Sequence, residues 1–152
     1  MKITSFIKGS LAAFIMLFTL AASAQNTVAT SIDQQVIRDL NKTPNMALGL
    51  TEERHIQGAF KFFNQMLESE VELEKFEIVI WGKVVENLKG DTELFRAIEA
   101  NQHPKLQVSV CEVAMERLGV AEDELPEGAT PVSNAFLRLL QIQASGYNVI
   151  VP

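Results

Sequence analysis

Apolar residues follow two different spacings along the chain, and their alternation predicts strands separated by helices. Short runs that favour strands occupy residues 46–50, 76–81, 106–111, 130–132 and 147–151. Between them, apolar residues recur every three or four positions, as on the buried face of a helix. Strands that alternate with helices build βαβ units. The pattern therefore predicts one layered α/β domain, with a mainly parallel sheet of about five strands flanked by helices.

The helical segments have predictable starts and ends. Four starts are expected at residues whose side-chain oxygen can cap a helix, namely Ser31, Thr51, Asp91 and Ser133. Residues 83–88 favour a short helical turn, and a helix over 112–118 is expected to end at Gly119, a residue type common just beyond helix ends. The acidic stretch 68–77 is predicted to be a solvated connection, as runs of like charge usually are.

The first 24 residues show the order of features typical of a secretory signal. Two lysines precede the uncharged apolar run Leu11–Ala22, and Ala22-Ser23-Ala24 offers the small residues that signal peptidase accepts. We therefore expect removal of residues 1–24, with Gln25 as the new N-terminus. A retained membrane anchor is the alternative, but the run is shorter than the ~20 residues that a bilayer span needs.

This interpretation divides the chain into three parts and predicts a periplasmic or otherwise exported protein. Residues 1–24 are the signal peptide, 25–45 a lead-in with a short helix, and 46–152 the α/β domain. No segment after the signal is apolar and long enough to span a membrane. Signal removal takes the formal net charge from −6 to −8. That charge argues against nucleic acid and anionic membranes as main partners, because both are bound through Lys and Arg.

The candidate functional residues lie at two predicted strand ends, because ligands of open α/β sheets bind beyond the carboxyl ends of strands. At the first, Trp81 is followed by Gly82, which lets the chain turn and another group approach closely. At the second is Cys111, the only cysteine. The start of the following helix favours a thiolate there, whereas Glu112 and Glu116 oppose it. A packed, inert cysteine is the alternative, and both stay open.

The sequence contains no motif for a cofactor or a metal. A glycine-rich phosphate loop is absent, His55 and His103 lack the spacing of a metal-binding pair, and one cysteine cannot build a zinc site. We therefore predict no cofactor and no metal. His55 is expected on the exposed side of its helix, and His103 in a loop before Pro104.

Four segments share their order and spacing with a known family: Phe76–Gly82, Val108–Cys111, Met115–Gly119 and Gly146–Pro152. Together they resemble the exported members of the DsrE/DsrF-like family, and the likeness extends over residues 46–152. That family commonly has a hydrophobic strand ending in His-Gly, a strand ending in Cys, and a closing Gly-Tyr strand. Trp81 stands here where many relatives have His.

The resemblance implies a flavodoxin-like or Rossmann-like fold that assembles as trimers or hexamers. In the sulfur-relay branch, a cysteine accepts sulfur as a persulfide and passes it to a partner thiol. The resemblance gives this role to Cys111, places Gly82 and Trp81 in the adjoining pocket, and implies a sulfur donor or acceptor protein as partner. The carrier, or sulfurtransferase, needs no cofactor. The alternative is a non-catalytic oligomeric binding module, in which Cys111 is packed and the apolar residues around Phe60 and Phe63 form an interface.

Overall fold

The computed structural model describes residues 32–152. Five strands and five helices alternate along this part of the chain: α1 (Gln34–Leu40), β1 (Asn45–Leu50), α2 (Glu53–Leu67), β2 (Lys75–Ile80), α3 (Glu93–Ala100), β3 (Leu106–Cys111), α4 (Glu112–Leu118), β4 (Ala129–Val132), α5 (Ala135–Ala144) and β5 (Asn148–Ile150). Two 3₁₀ helices cover Lys83–Leu88 and Glu122–Glu124. The predicted signal peptide and Ser31 lie outside the described residues. The cap of α1 is Asp33 rather than the predicted Ser31, because the Asp33 side chain accepts from the Gln35 N–H.

The five strands form one parallel sheet in the order β4-β3-β2-β1-β5. This arrangement confirms the predicted fold class. Register places Leu50 beside Ile80, Ile80 beside Val110, and Cys111 beside Val132. The carboxyl ends of the central strands therefore meet at one edge of the sheet, where Cys111 lies.

Helices cover both faces of the sheet because the strand order reverses once. Strands β1 to β4 follow one another in one direction, and right-handed crossovers place their connecting helices on one face. The chain then returns past the sheet to β5, and this crossing carries α5 over the opposite face. Neighbouring residues of β2 point to the two sides. Phe76 contacts Phe63 of α2, with ring centroids 5.4 Å apart, while Glu77 bonds to Arg138 of α5.

The core is continuous across both layers. Strand β2 is buried from Phe76 to Ile80, and β3 is buried from Val108 to Cys111. In these stretches both faces of each strand are buried, because helices cover the sheet on both sides. No helix within residues 32–152 combines the length and apolar character needed to cross a membrane.

The acidic connection before β2 is less exposed than its charge predicted. Val71 and Leu73 are buried, and Glu77, the last residue of the predicted solvated stretch, is only 1% exposed. The prediction was wrong for these positions. Two apolar side chains fix the connection to the core, and Glu77 lies inside β2, where Arg138 and Ser109 bond to it.

Three predicted helix starts are displaced by one residue. The cap of α2 is Glu52 rather than Thr51, that of α3 is Thr92 rather than Asp91, and that of α5 is Asn134 rather than Ser133. In α3 and α5 the observed cap accepts hydrogen bonds from first-turn N–H groups, which explains the preference. Gly119 ends α4 in the left-handed conformation, as predicted.

Candidate functional site

A cleft of about 450 Å³ opens at the edge of the sheet where β2 and β3 end. Trp81 and Gly82 line it directly after β2, and Cys111 lines it at the end of β3. The three residues singled out in the sequence therefore lie around one space. The 3₁₀ helix 83–88, α4 and the start of α5 supply the remaining walls.

Cys111 lies at the inner wall of the cleft and is 6% exposed. Its Sγ atom accepts a hydrogen bond from the backbone N–H of Ala135, with 3.4 Å between nitrogen and sulfur. Ala135 is the first residue of α5, so this N–H is one of those that no carbonyl of its own helix can pair with. The start of a helix carries partial positive charge, which stabilises negative charge on a nearby atom.

This partner comes from α5 and not from α4, the helix that the sequence placed next to Cys111. Cys111 is the residue before α4, but its side chain makes no capping hydrogen bond to that helix. The N–H that reaches the sulfur comes from 24 residues further along the chain. Sequence reasoning missed this contact, because nothing local to Cys111 indicates which helix crosses behind it.

Gly82 starts the segment that forms one side of the cleft. Its φ is +79°, in the region that favours glycine because other residues have a Cβ that collides there. The turn at Gly82 leads into the 3₁₀ helix, whose Lys83 and Glu86 line the cleft. The backbone turn expected at Gly82 is therefore present.

Two aromatic rings form the apolar wall. The ring centroids of Trp81 and Phe136 are 5.6 Å apart and the ring planes are tilted by 56°. Trp81 is half-buried, whereas Phe136 is 61% exposed. Phe136, Asn134, Lys83 and Arg117 line the cleft without having been predicted as site residues. Only Lys83 had a sequence signal, since it directly follows Gly82.

A buried carboxylate network fastens α5 to the sheet just behind the cleft. Arg138 donates from Nε and Nη2 to the two carboxylate oxygens of Glu77, each at 2.8 Å. The Ser109 hydroxyl donates to Glu77 Oε1 at 2.6 Å, and Gln107 donates to Ser109 Oγ at 3.2 Å. The hydrogen bonds with Glu77 raise the pKa of Arg138 above its ordinary value, so the guanidinium stays charged.

The network holds the first turn of α5 in place. Arg138 lies one turn after Asn134, whose side chain caps the helix by accepting from the Phe136 and Leu137 N–H groups. The ion pair and the cap therefore act on the same turn from which Ala135 reaches Cys111. This turn is thus fixed both by its cap and by an ion pair with the sheet.

Both histidines lie apart from the cleft lining. His55 is exposed on α2, as predicted, and His103 is half-buried in its loop, with its ring 5.3 Å from that of Phe63. Among residues 32–152, no three His, Cys, Asp or Glu side chains are grouped so that they could hold a metal ion.

Comparison with known proteins identifies the chain's relatives by family and fold. The model of the DsrE/DsrF-like family matches residues 16–152. A solved structure of a protein of unknown function from Methanobacterium thermoautotrophicum is similar, with a TM-score of 0.63 and 18% sequence identity. The match covers 71% of this chain and 98% of that one. At this identity the likeness shows the fold alone. A search of curated proteins gave no significant match.

Proposed function

Because this chain belongs to the DsrE/DsrF-like family, a family related to sulfur relay, we propose that it carries sulfur as a persulfide on Cys111. The observation that carries the proposal is the position of the Cys111 sulfur, which lines a cleft at the carboxyl edge of the sheet and accepts the Ala135 N–H. A single thiol suffices for a carrier, and the chain has one cysteine.

The proposed reaction has two steps, each a thiol exchange. In the first, the Cys111 thiolate attacks the outer sulfur of a donor persulfide R–S–SH. The donor S–S bond breaks, R–S⁻ leaves with the electron pair, and Cys111–S–SH forms. In the second, an acceptor thiolate attacks the outer sulfur of Cys111–S–SH, takes it as R′–S–SH, and releases the Cys111 thiolate. No net oxidation occurs, so no redox cofactor is required.

The surroundings of the sulfur suit both steps. Negative charge is present on Cys111 before the first step and returns to it at the end of the second. The Ala135 N–H, at the start of α5, faces that atom throughout and stabilises the anion. Gly82 and Trp81 shape the space beside it, in the role proposed for them as binding residues.

Trp81 stands where many relatives have His, and this difference changes the chemistry available at this position. Indole has an N–H donor and no acceptor, so Trp81 does not replace a histidine as a proton acceptor. Its ring instead packs against Phe136 and encloses the cleft. The proposed carrier therefore depends on thiolate stabilisation at Cys111, without acid–base assistance from position 81.

We also propose that the chain is exported after loss of residues 1–24 and forms homo-oligomers, trimers or hexamers as the family resemblance implies. Export is supported by the signal features of the N-terminal sequence. Self-association is supported by α5, on which Phe136, Leu137 and Leu140 are each more than 60% exposed. Apolar side chains grouped in this way are typical of protein interfaces.

A second candidate function is an oligomeric binding module in which Cys111 has no chemical role. The low exposure of Cys111 favours it, because buried free cysteines are usually inert. The wide apolar face of α2 supports it less, since Phe60, Phe63 and Met66 lie in the core and Phe62 alone of this group is exposed.

Intact mass spectrometry distinguishes the two functions. The mature protein and its Cys111→Ser variant are incubated with polysulfide, together with a peptide carrying one ordinary thiol. The carrier predicts a gain of one or more sulfur atoms on the wild-type protein only, reversed by a thiol acceptor. Circular dichroism confirms that the variant is folded. No adduct on the wild-type protein, where the peptide is labelled, would overturn the carrier and leave the binding module.

A further inference from the structure

We infer that the cleft beside Cys111 exchanges sulfur with small organic thiols and persulfides that carry a negatively charged group. The inference rests on the proposed function and adds the class of substrate to it. It replaces a partner protein's thiol, the acceptor implied by the family resemblance, with a small anionic molecule.

The dimensions of the site favour a small molecule. A volume of about 450 Å³ lies within the range of roughly 300–1,000 Å³ found for small-molecule sites. Cys111 is 6% exposed, so a reacting sulfur has to enter the cleft. A small thiol enters whole, whereas a cysteine on a folded partner reaches only a short distance from its own backbone.

The charges of the cleft favour an anion. Lys83 and Arg117 both line it, and within residues 32–152 neither forms an ion pair. Glu86 is the one acidic side chain in the lining. The cleft thus carries a surplus of positive charge on a chain whose net charge is −6. Two cations without acidic partners, facing one space, are suited to a carboxylate or sulfonate.

The apolar part of the lining accommodates an apolar part of the same molecule. Trp81 and Phe136 form the aromatic wall, and Val113 and Leu118 also line the cleft. A ligand with an anionic end and a short hydrocarbon chain can therefore contact the cations and the rings while its sulfur approaches Cys111.

The test compares two thiols of nearly the same shape, 3-mercaptopropionate and its neutral amide. Cys111 is first loaded with sulfur from polysulfide, and each thiol is then used as acceptor. The thiolate R–S⁻ attacks the outer sulfur of Cys111–S–SH, giving R–S–SH and the Cys111 thiolate. Intact mass follows the rate of sulfur loss. Each rate is divided by that of the same thiol with a persulfidated peptide, which removes differences in intrinsic reactivity.

The variant Lys83→Gln/Arg117→Gln removes both cations. Lys61→Gln/Lys75→Gln is its control, since it makes the same change in net charge at exposed residues outside the cleft lining. We expect the wild-type protein and the control to favour the carboxylate over the amide by about threefold to tenfold, as exposed charge pairs allow. The cleft variant should lose that preference, so that its normalised rates with the two thiols become equal. Equal rates for the two thiols with wild-type protein would overturn the inference, as would an unchanged preference in the cleft variant.

A binding experiment separates failure of the inference from failure of the proposed function. Trp81 is the only tryptophan of the chain and lines the cleft, so its fluorescence reports occupancy. S-benzyl-3-mercaptopropionate and its amide have no free thiol and cannot exchange sulfur. We expect the carboxylate to change Trp81 emission at lower concentration than the amide, and the cleft variant to remove the difference. If Cys111 does not load with sulfur but the carboxylate still binds more tightly than the amide, the proposed sulfur-carrier function is wrong and the anion site stands. If the two compounds bind equally, the anion site is wrong.

Discussion

The indole ring of Trp81 occupies the space that Gly49 leaves by having no side chain. A Cβ atom at Gly49 would lie 2.9 Å from Cη2 and from Cζ3 of Trp81, and 3.1 Å from Cδ1 of Leu139. Gly49 belongs to β1, Trp81 follows β2, and Leu139 lies on α5. The absence of one methyl group therefore allows the aromatic wall of the cleft to pack onto the sheet.

We expect Gly49→Ala to destabilise the protein by about 1–3 kcal/mol, because overpacking forces side chains out of their preferred positions. Urea unfolding measures the change, and Trp81 fluorescence reports whether the ring moves. Gly58→Ala is the matched control. A Cβ at Gly58 meets nothing within 4 Å in helix α2, so this change should stabilise by up to about 1 kcal/mol. Similar effects at both positions would contradict the packing of Trp81 against Gly49.

The ion pair between Arg138 and Glu77 should be important for stability mainly because Glu77 is buried. We expect Arg138→Met to cost about 3–5 kcal/mol, since it leaves a buried carboxylate without its cation. The double variant Glu77→Met/Arg138→Met removes both charges and should recover at least half of the loss. Urea unfolding of the wild-type protein, the two single variants Glu77→Met and Arg138→Met, and the double variant gives the coupling directly. Additive losses in the double variant would show that the two residues act independently.

Phe136 should limit access to Cys111. It lines the cleft and contacts Trp81 through its ring, so Phe136→Ala opens the wall. We expect iodoacetamide to alkylate Cys111 severalfold faster in this variant, as mass spectrometry over time would measure. Leu140→Ala is the control, because Leu140 lies on the same helix and is exposed outside the lining. An unchanged rate in Phe136→Ala would show that the ring does not restrict entry.

The exposed face of α5 should determine the oligomeric state. Leu137 and Leu140 are each 63% exposed. Burial of such apolar side chains contributes favourable free energy to an interface. We expect Leu137→Glu/Leu140→Glu to lower the molar mass measured by light scattering after gel filtration. Val36→Glu, an exposed apolar position on α1, is the control and should leave the mass unchanged. If the wild-type protein is already monomeric at micromolar concentration, the proposed self-association is wrong.

The N-terminal signal should be removed after Ala24. We expect protein made from the whole sequence in a Gram-negative host to be recovered from the periplasm, with a mass that corresponds to a start at Gln25. Ala22→Leu/Ala24→Leu should block removal, because signal peptidase requires small residues at these positions. Ala21→Leu leaves them intact and is the control. Recovery of the uncleaved chain in the cytoplasm would contradict export.

The sequence was sufficient for the positions of the strands along the chain, because the information for them is local. Each strand of the parallel sheet coincides with a run that favours strands, and Cys111 lies at the end of β3 as predicted. Helix starts were less certain, since capping residues occur in adjacent pairs. Asp91 and Thr92 can both cap a helix, and so can Ser133 and Asn134; only backbone geometry selects the second.

The contacts that the sequence did not predict connect residues far apart in the chain. Glu77 bonds to Arg138, 61 residues later, and a charge pattern read along the chain cannot show that such a partner exists. The Ala135 N–H reaches Cys111 for a similar reason, since the path of α5 depends on the reversal of strand order. The cleft was therefore predictable in part: the sequence indicated its strand ends and Trp81, but not its cations or Phe136.

Because of the reversal of strand order, the site around Cys111 is completed by a segment that is synthesised after it. Cys111, Gly82 and Trp81 are synthesised before α5, which brings the Ala135 N–H and Phe136, and before β5, which pairs with β1. Contacts between segments so distant along the chain are the slow ones to form. A nascent chain therefore holds its thiol without the Ala135 N–H and without the Phe136 ring until α5 has docked. During synthesis, the cysteine passes through an unprotected stage that ends only when the return across the sheet is complete.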